Sequence, residues 1–84
     1  MEKDMWGRRI RAYRKLKGYT QEGFAKRLGI SVSVLGEIER GNRLPTNQLV
    51  GQIADALNIT VEELSPILEE ERRGKNVSNR RYRD

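Results

Sequence analysis

Apolar residues recur along most of this chain at the spacing of an α-helix, and glycine or proline separates one periodic segment from the next. Trp6, Ile10 and Tyr13 follow one another at intervals of four and three, which predicts a first helix over residues 5–17 that ends at Gly18. The same spacing predicts four further helices, over residues 21–28, 32–40, 47–57 and 61–64. Because every periodic segment is helical and the connections are short, the pattern predicts an all-α bundle.

Hydroxyl side chains mark where the predicted helices begin. The residues in the N-cap position of helices two to five are Thr20, Ser31, Thr46 and Thr60. Glu63 follows Thr60 at the spacing of a capping box. Ser65, with a proline after it, is predicted to begin a short C-terminal helical extension. The domain is therefore predicted to span residues 1–74, and the polar, aperiodic residues 75–84 are predicted to be a disordered basic tail.

Charge is segregated along the chain. Residues 1–45 carry eleven Lys and Arg against five Asp and Glu, whereas residues 46–71 contain six acids and no Lys or Arg. Residues 72–84 are basic again, with six Lys and Arg and a single Asp, and the net charge is +5. This distribution would present a basic side to a polyanion, although ordinary solvated charge is the alternative reading.

The composition excludes several classes of chemistry. The chain has no cysteine and no histidine, so disulfides, thiolate or imidazole metal sites and histidine general bases are ruled out. The acidic residues fall on solvated helix faces without a nucleophile beside them, which predicts no catalytic residue, no cofactor and no enzymatic activity. No apolar run has the length of a secretory signal or a membrane span, so a soluble cytoplasmic protein is predicted.

One long motif carries a family resemblance. The segment TQEGFAKRLGISVSVLGEIERG, residues 20–41, contains the spaced pattern T-Q-x-x-[FL]-A-x-x-[LV]-G-[IV]-S followed by I-E-x-G, and P-[ST] and A-x-x-L come after it. Residues 6–65 as a whole resemble the Cro/cI-type (XRE) helix-turn-helix transcription regulators of bacteria and phages. The resemblance implies a five-helix lambda-repressor-like DNA-binding domain in a protein that acts at the bacterial nucleoid.

The signature residues also have physical reasons. Ala25 is small where the two motif helices cross, and Gly29 permits the sharp change of direction between them. The apolar faces predict a core in which residues of helices two and three pack on helices one and four. That core consists of Phe24, Leu28, Leu35, Ile38, Ile10, Tyr13, Leu49, Ile53 and Leu57.

The resemblance places DNA against the outer face of the third helix, in the major groove. The base-reading positions that it implies are Val32, Ser33, Gly36 and Glu37. Val32 suits a thymine methyl group, and Glu37 suits a cytosine amino group. None of the four can make a bidentate arginine–guanine or glutamine–adenine pair, which favours an interface that depends on DNA shape or on many backbone contacts. Alternatively, Glu37 is a solvated acid or a partner for Arg40 or Arg43.

Phosphate contacts are implied at both ends of the motif. The resemblance assigns them to Gln21, Arg40, Asn42 and Arg43. Alternatively, Gln21 merely caps its own helix. Weaker candidates on solvated helix faces are Arg8, Arg9, Arg11, Lys15 and Lys26.

Glu39 lies on the inner side of the third helix, where an unpaired acid would be costly to bury. In similar proteins this acid pairs with an arginine of the first helix, and Arg14 occupies that place here. The resemblance therefore implies a structural Arg14–Glu39 ion pair that holds the reading helix in position.

One such domain buries little DNA surface, and the family commonly binds inverted half-sites as a homodimer. Ile67 and Leu68 are the candidate dimer contacts, whereas Val61 and Leu64 are predicted to belong to the core. The basic tail is either an arm with further phosphate contacts or the remnant of a linker. Two alternatives for the whole protein stay open, an antitoxin and a protein-interaction module on the same fold.

Overall fold

Five α-helices form the part of the chain that the computed structural model describes, residues 2–66. They are α1 (Glu2–Leu16), α2 (Gln21–Leu28), α3 (Val32–Glu39), α4 (Asn47–Leu57) and α5 (Val61–Leu64). These residues contain no strand, and the all-α, five-helix fold is confirmed. Residues 67–74 of the predicted helical extension, together with the basic tail, lie outside the described residues.

The predicted helix limits differ from the observed ones mainly at the start of the chain. The first helix begins at Glu2 rather than at the predicted residue 5. Two acids in its first turn, Glu2 and Asp4, explain the extra residues, because carboxylates stabilise the positive end of the helix dipole. The apolar spacing that set the predicted limit starts only at Trp6.

The predicted caps are confirmed. The hydroxyls of Thr20 and Ser31 accept hydrogen bonds from the backbone N–H groups three residues later, at 2.9 and 3.1 Å. Thr60 and Glu63 form both halves of the capping box. Gly29 ends α2 in the left-handed conformation, with φ +75°, which residues with a side chain rarely adopt.

All five helices contribute to a single apolar core. Its fully buried large side chains are Phe24, Ile10, Leu35, Ile38, Ile53, Leu57 and Leu64. The prediction that Val61 also lies in the core is wrong, since this side chain is 45 % exposed. Because α5 is a single turn, only its last residue, Leu64, reaches the core.

α1 crosses the C-terminal end of α3 at Gly7, a contact that the sequence analysis did not foresee. A Cβ atom at Gly7 would lie 2.5 Å from the carbonyl oxygen of Ile38 and 2.6 Å from that of Glu39. These contacts are backbone to backbone, so no side-chain rearrangement could relieve them. Gly7 therefore sets how closely α1 supports the end of α3.

Arg9 ties α5 to α1. Its guanidinium donates hydrogen bonds to the carbonyl oxygens of Leu64, at 2.9 Å, and Glu63. It also lies 5.8 Å from the ring centroid of Tyr13. These contacts satisfy carbonyls that a short helix leaves without internal partners. The prediction of Arg9 as a weak phosphate candidate is therefore corrected, since its guanidinium is directed to the C-terminal end of α5.

Candidate nucleic-acid interface

The turn between α2 and α3 presents the first turn of α3 to solvent. Gly29 redirects the chain, and Ser31 caps α3 through the N–H group of Val34. The two side chains that follow are both exposed: Val32 is 40 % exposed and Ser33 lies beside it. The inner face of the same helix holds Leu35 in the core. Because the helix is capped and its inner face is packed in the core, its exposed end can approach another surface without distorting the fold.

Gly36 differs from the open position that the sequence predicts. It is buried, because the side chain of Arg40 covers it. A Cβ atom at Gly36 would lie 2.9 Å from Nη1 of Arg40 and 3.7 Å from Nε2 of Gln21. Arg40 itself is exposed. The outer side of α3 therefore carries the guanidinium of Arg40 at a position where the sequence alone shows only glycine.

Arg14 and Glu39 form a bidentate ion pair behind α3. Arg14 Nε lies 2.7 Å from Glu39 Oε2, and Arg14 Nη2 lies 3.0 Å from Oε1. Their side chains are only 8 % and 3 % exposed. The remaining nitrogen, Nη1, donates to the carbonyl oxygen of Tyr19 at 3.0 Å. This pair joins α1, the turn before α2 and the end of α3 through charge-assisted hydrogen bonds.

Gln21 is attached to the same pair. Its Nε2 donates to Glu39 Oε1 at 3.2 Å. The cap of α2 is provided by Thr20 and not by the side chain of Gln21. A shallow depression beside Gln21 is lined by both members of the ion pair and by two exposed arginines, Arg11 and Arg40. The arrangement concentrates positive charge next to the N-terminus of α2, where anions are favoured.

Glu37 and Arg43 also form an ion pair, with Arg43 Nε 2.8 Å from Glu37 Oε1. Their side chains are 40 % and 53 % exposed, so water screens this pair much more than the buried one. Of the two partners considered for Glu37, the structure has Arg43 rather than Arg40. A predicted base reader and a predicted phosphate contact are thus joined to each other.

The remaining predicted site residues are divided between this surface and the undescribed part of the chain. Asn42 is exposed in the loop after α3, next to Arg43. Ile67 and Leu68 lie outside the described residues. Within residues 2–66, no cluster of acidic side chains is suited to a metal ion. No helix among these residues has the length and apolar character needed to cross a membrane.

Comparison with protein families identifies the fold. The model of the HTH_3 helix-turn-helix family matches residues 10–64, which include all of the motif and both ends of the buried ion pair. The chain belongs to this XRE-type family. The predicted resemblance is therefore confirmed.

Curated relatives carry the same family name. The chain is 71 % identical over 66 residues to the uncharacterized HTH-type transcriptional regulator YazB of Bacillus subtilis, covering 79 % of this chain and 96 % of YazB. It is 36 % identical over 61 residues to the HTH-type transcriptional regulator SinR of Bacillus subtilis, covering 71 % of this chain and 55 % of SinR. These relatives are transcriptional regulators by name.

Solved structures of two regulators are similar to this one. The restriction-modification controller protein C.AhdI from Aeromonas hydrophila superposes with a TM-score of 0.70 at 35 % identity, covering 74 % of this chain and 94 % of that protein. SinR, a master regulator for biofilm formation solved in complex with DNA, gives a TM-score of 0.66 at 35 % identity. That match covers 70 % of this chain and 95 % of the SinR chain.

Two features of the site were missed in the sequence although each left a signal there. Gly7 interrupts an otherwise good helix-forming segment, which is a cost that close backbone contact can explain. Gly36 and Arg40 stand four residues apart, the spacing at which one side chain lies over another position. In both cases the sequence shows the glycine, but it does not show which group of the folded protein contacts it.

Proposed function

We propose that this protein is a transcriptional regulator that binds double-stranded DNA through α3 in the major groove. The observation that carries the proposal is the exposed first turn of α3, bordered by cationic side chains and held from behind by the buried Arg14–Glu39 pair. Similarity to SinR, whose structure contains DNA, supports it. The regulatory names of the relatives support a role in transcription rather than catalysis.

Each group of residues has a distinct part in this proposal. Val32, Ser33 and Glu37 contact base edges in the groove, where Val32 packs on a thymine methyl group. Gln21 donates to a phosphate at the N-terminus of α2 with the amide hydrogen that Glu39 does not use. Asn42 and Arg43 contact phosphates from the loop after α3. The protein would act in the cytoplasm, at the nucleoid.

Selection of bound sites from random double-stranded DNA tests this function. We expect the full chain to enrich a short sequence at moderate salt, since base contacts discriminate among sequences while phosphate contacts do not. Enrichment no greater than background would contradict the proposal. That result would favour an antitoxin or protein-interaction role on the same fold, both of which were left open by the sequence.

A homodimer on inverted half-sites is the finer part of the proposal. We propose Ile67 and Leu68, which follow α5 in the sequence, as its apolar contacts. Replacing both by aspartate is expected to shift the protein to monomer in analytical ultracentrifugation. The same change should abolish selection of inverted repeats, because one domain alone makes too few contacts. A wild-type chain that stays monomeric at high micromolar concentration would contradict this part alone.

Replacing Glu37 by glutamine is expected to strengthen binding to random DNA at low salt. The change removes a negative charge from the DNA-facing side and frees the Arg43 guanidinium from Glu37, which competes with the phosphate for it in the wild type. A stronger Arg43–phosphate contact should steepen the dependence of log K on log salt by up to about one. Anisotropy titrations at several salt concentrations measure the slope, with the Arg43→Gln variant as the matched control that should become shallower. An unchanged slope in the Glu37→Gln variant would rule out this role of the pair.

A further inference from the structure

The side chain of Arg40 occupies a gap on the outer side of α3. The gap exists because residue 36 is glycine, and a Cβ atom there would lie 2.9 Å from Nη1 and 3.7 Å from Cζ of Arg40. Residues four apart share one helix face, and long side chains lean over the turn that precedes them. The guanidinium thus stands where the side chain of residue 36 would otherwise be.

The Arg40 guanidinium lies on the face of α3 that the proposed function places in the major groove of DNA. Val32, Gly36 and Arg40 follow one another at intervals of four along one stripe of α3. Ser33 and Glu37 form the neighbouring stripe. A charged, planar group over Gly36, within the first of these stripes, differs from the phosphate contact that the family resemblance implies for Arg40.

The donors of Arg40 are available to a ligand. Within residues 2–66, no side-chain hydrogen bond or ion pair engages its guanidinium. The nearby carboxylate of Glu39 already accepts from Arg14 and from Gln21. Arg14, by contrast, uses all three of its nitrogens within the protein. Arg40 is therefore held in place by packing over Gly36 rather than by a polar partner.

We propose that Arg40 reads a guanine base in the major groove and that Gly36 provides the space that positions it. An arginine guanidinium donates two parallel hydrogen bonds to O6 and N7 of guanine, the commonest specific contact in protein–DNA interfaces. This role supplies the bidentate base contact that none of the four predicted reading residues can make. The inference rests on the proposed DNA-binding function and adds a specificity-determining residue to it.

A base-reading arginine and a phosphate-binding arginine respond differently to substitution. Loss of a base contact removes the preference at one base pair, whereas loss of a phosphate contact weakens binding to every sequence and lowers the salt slope by about one. Replacing Arg40 by methionine keeps an unbranched chain over Gly36 and removes the donors. Arg43→Met is the matched control, because Arg43 is an exposed arginine of the following loop that is assigned to phosphate.

The experiment selects sites from random DNA with the wild type, R40M and R43M, after thermal unfolding has shown that each variant is folded. We expect the wild type to enrich a G·C pair whose replacement by A·T weakens binding roughly 5- to 150-fold. R40M should lose that discrimination and keep the other preferences, whereas R43M should keep it. An R40M variant that selects the wild-type sequence, or binds all sequences proportionally more weakly, would overturn the inference. A wild type that enriches nothing would instead overturn the proposed function itself.

Gly36→Ala tests the positioning role separately. The added Cβ would crowd the far end of the flexible Arg40 side chain and make only ordinary contact with Gln21 Nε2 at 3.7 Å, so the fold should remain intact while the guanidinium is displaced. We expect a reduced preference for guanine at the same base pair, with the salt slope unchanged. A G36A variant with the full wild-type preference would show that the gap does not position Arg40.

Discussion

Replacing Gly7 by alanine is expected to destabilise the fold by about 3 kcal/mol, at the upper end of the cost of overpacking. The added Cβ atom would lie 2.5 and 2.6 Å from two carbonyl oxygens at the end of α3. Neither can move without displacing the helix that carries the proposed DNA surface. Alanine is intrinsically the better helix former by roughly 1 kcal/mol, so the loss would occur against local propensity.

Chemical denaturation monitored through Trp6 fluorescence measures this effect. Gly51→Ala is the matched control, since Gly51 also lies within a helix but is exposed and would place its Cβ in open space. That control should stabilise the protein by up to about 1 kcal/mol. If G7A were as stable as G51A, the close crossing of α1 and α3 would not be a determinant of the fold.

Replacing Glu39 by alanine is expected to cost roughly 3 to 5 kcal/mol. The change leaves the guanidinium of Arg14 in a site where its side chain is only 8 % exposed, without the carboxylate that compensates its charge. It also removes the acceptor that orients Gln21. The free energy of unfolding and DNA affinity should therefore fall together.

Two further variants separate this buried pair from an ordinary surface pair. Glu37→Ala removes one end of the exposed pair with Arg43 and should change stability by no more than about 1 kcal/mol. The double variant Arg14→Met, Glu39→Leu should recover much of the lost stability, because no buried charge remains. Its DNA affinity should stay low, since Gln21 would still lack its acceptor. Equal losses in E39A and E37A would contradict the structural role of Glu39.

Local signals explain why most of the fold could be predicted from the sequence. The caps at Thr20 and Ser31 and the left-handed residue at Gly29 depend on hydrogen bonds and dihedral angles within a few residues, so their chemistry is written in neighbouring positions. Val61 shows the limit of this reasoning. Its apolar character predicted burial, but a helix of one turn directs only Leu64 into the core and leaves Val61 on the surface.

The sequence by itself determined the helix-turn-helix class, the exposed first turn of α3 and the partner of Glu39, because the family resemblance carried by a long spaced motif implies all three. Only the tertiary structure revealed that Gly7 admits the backbone of α3, that Glu37 pairs with Arg43 and that Arg40 covers Gly36. The first depends on two helices distant in sequence meeting at one point. The other two depend on which rotamer a long arginine adopts among its neighbours. A glycine within a helix can indicate that another group packs closely there, but only the three-dimensional packing determines which group that is.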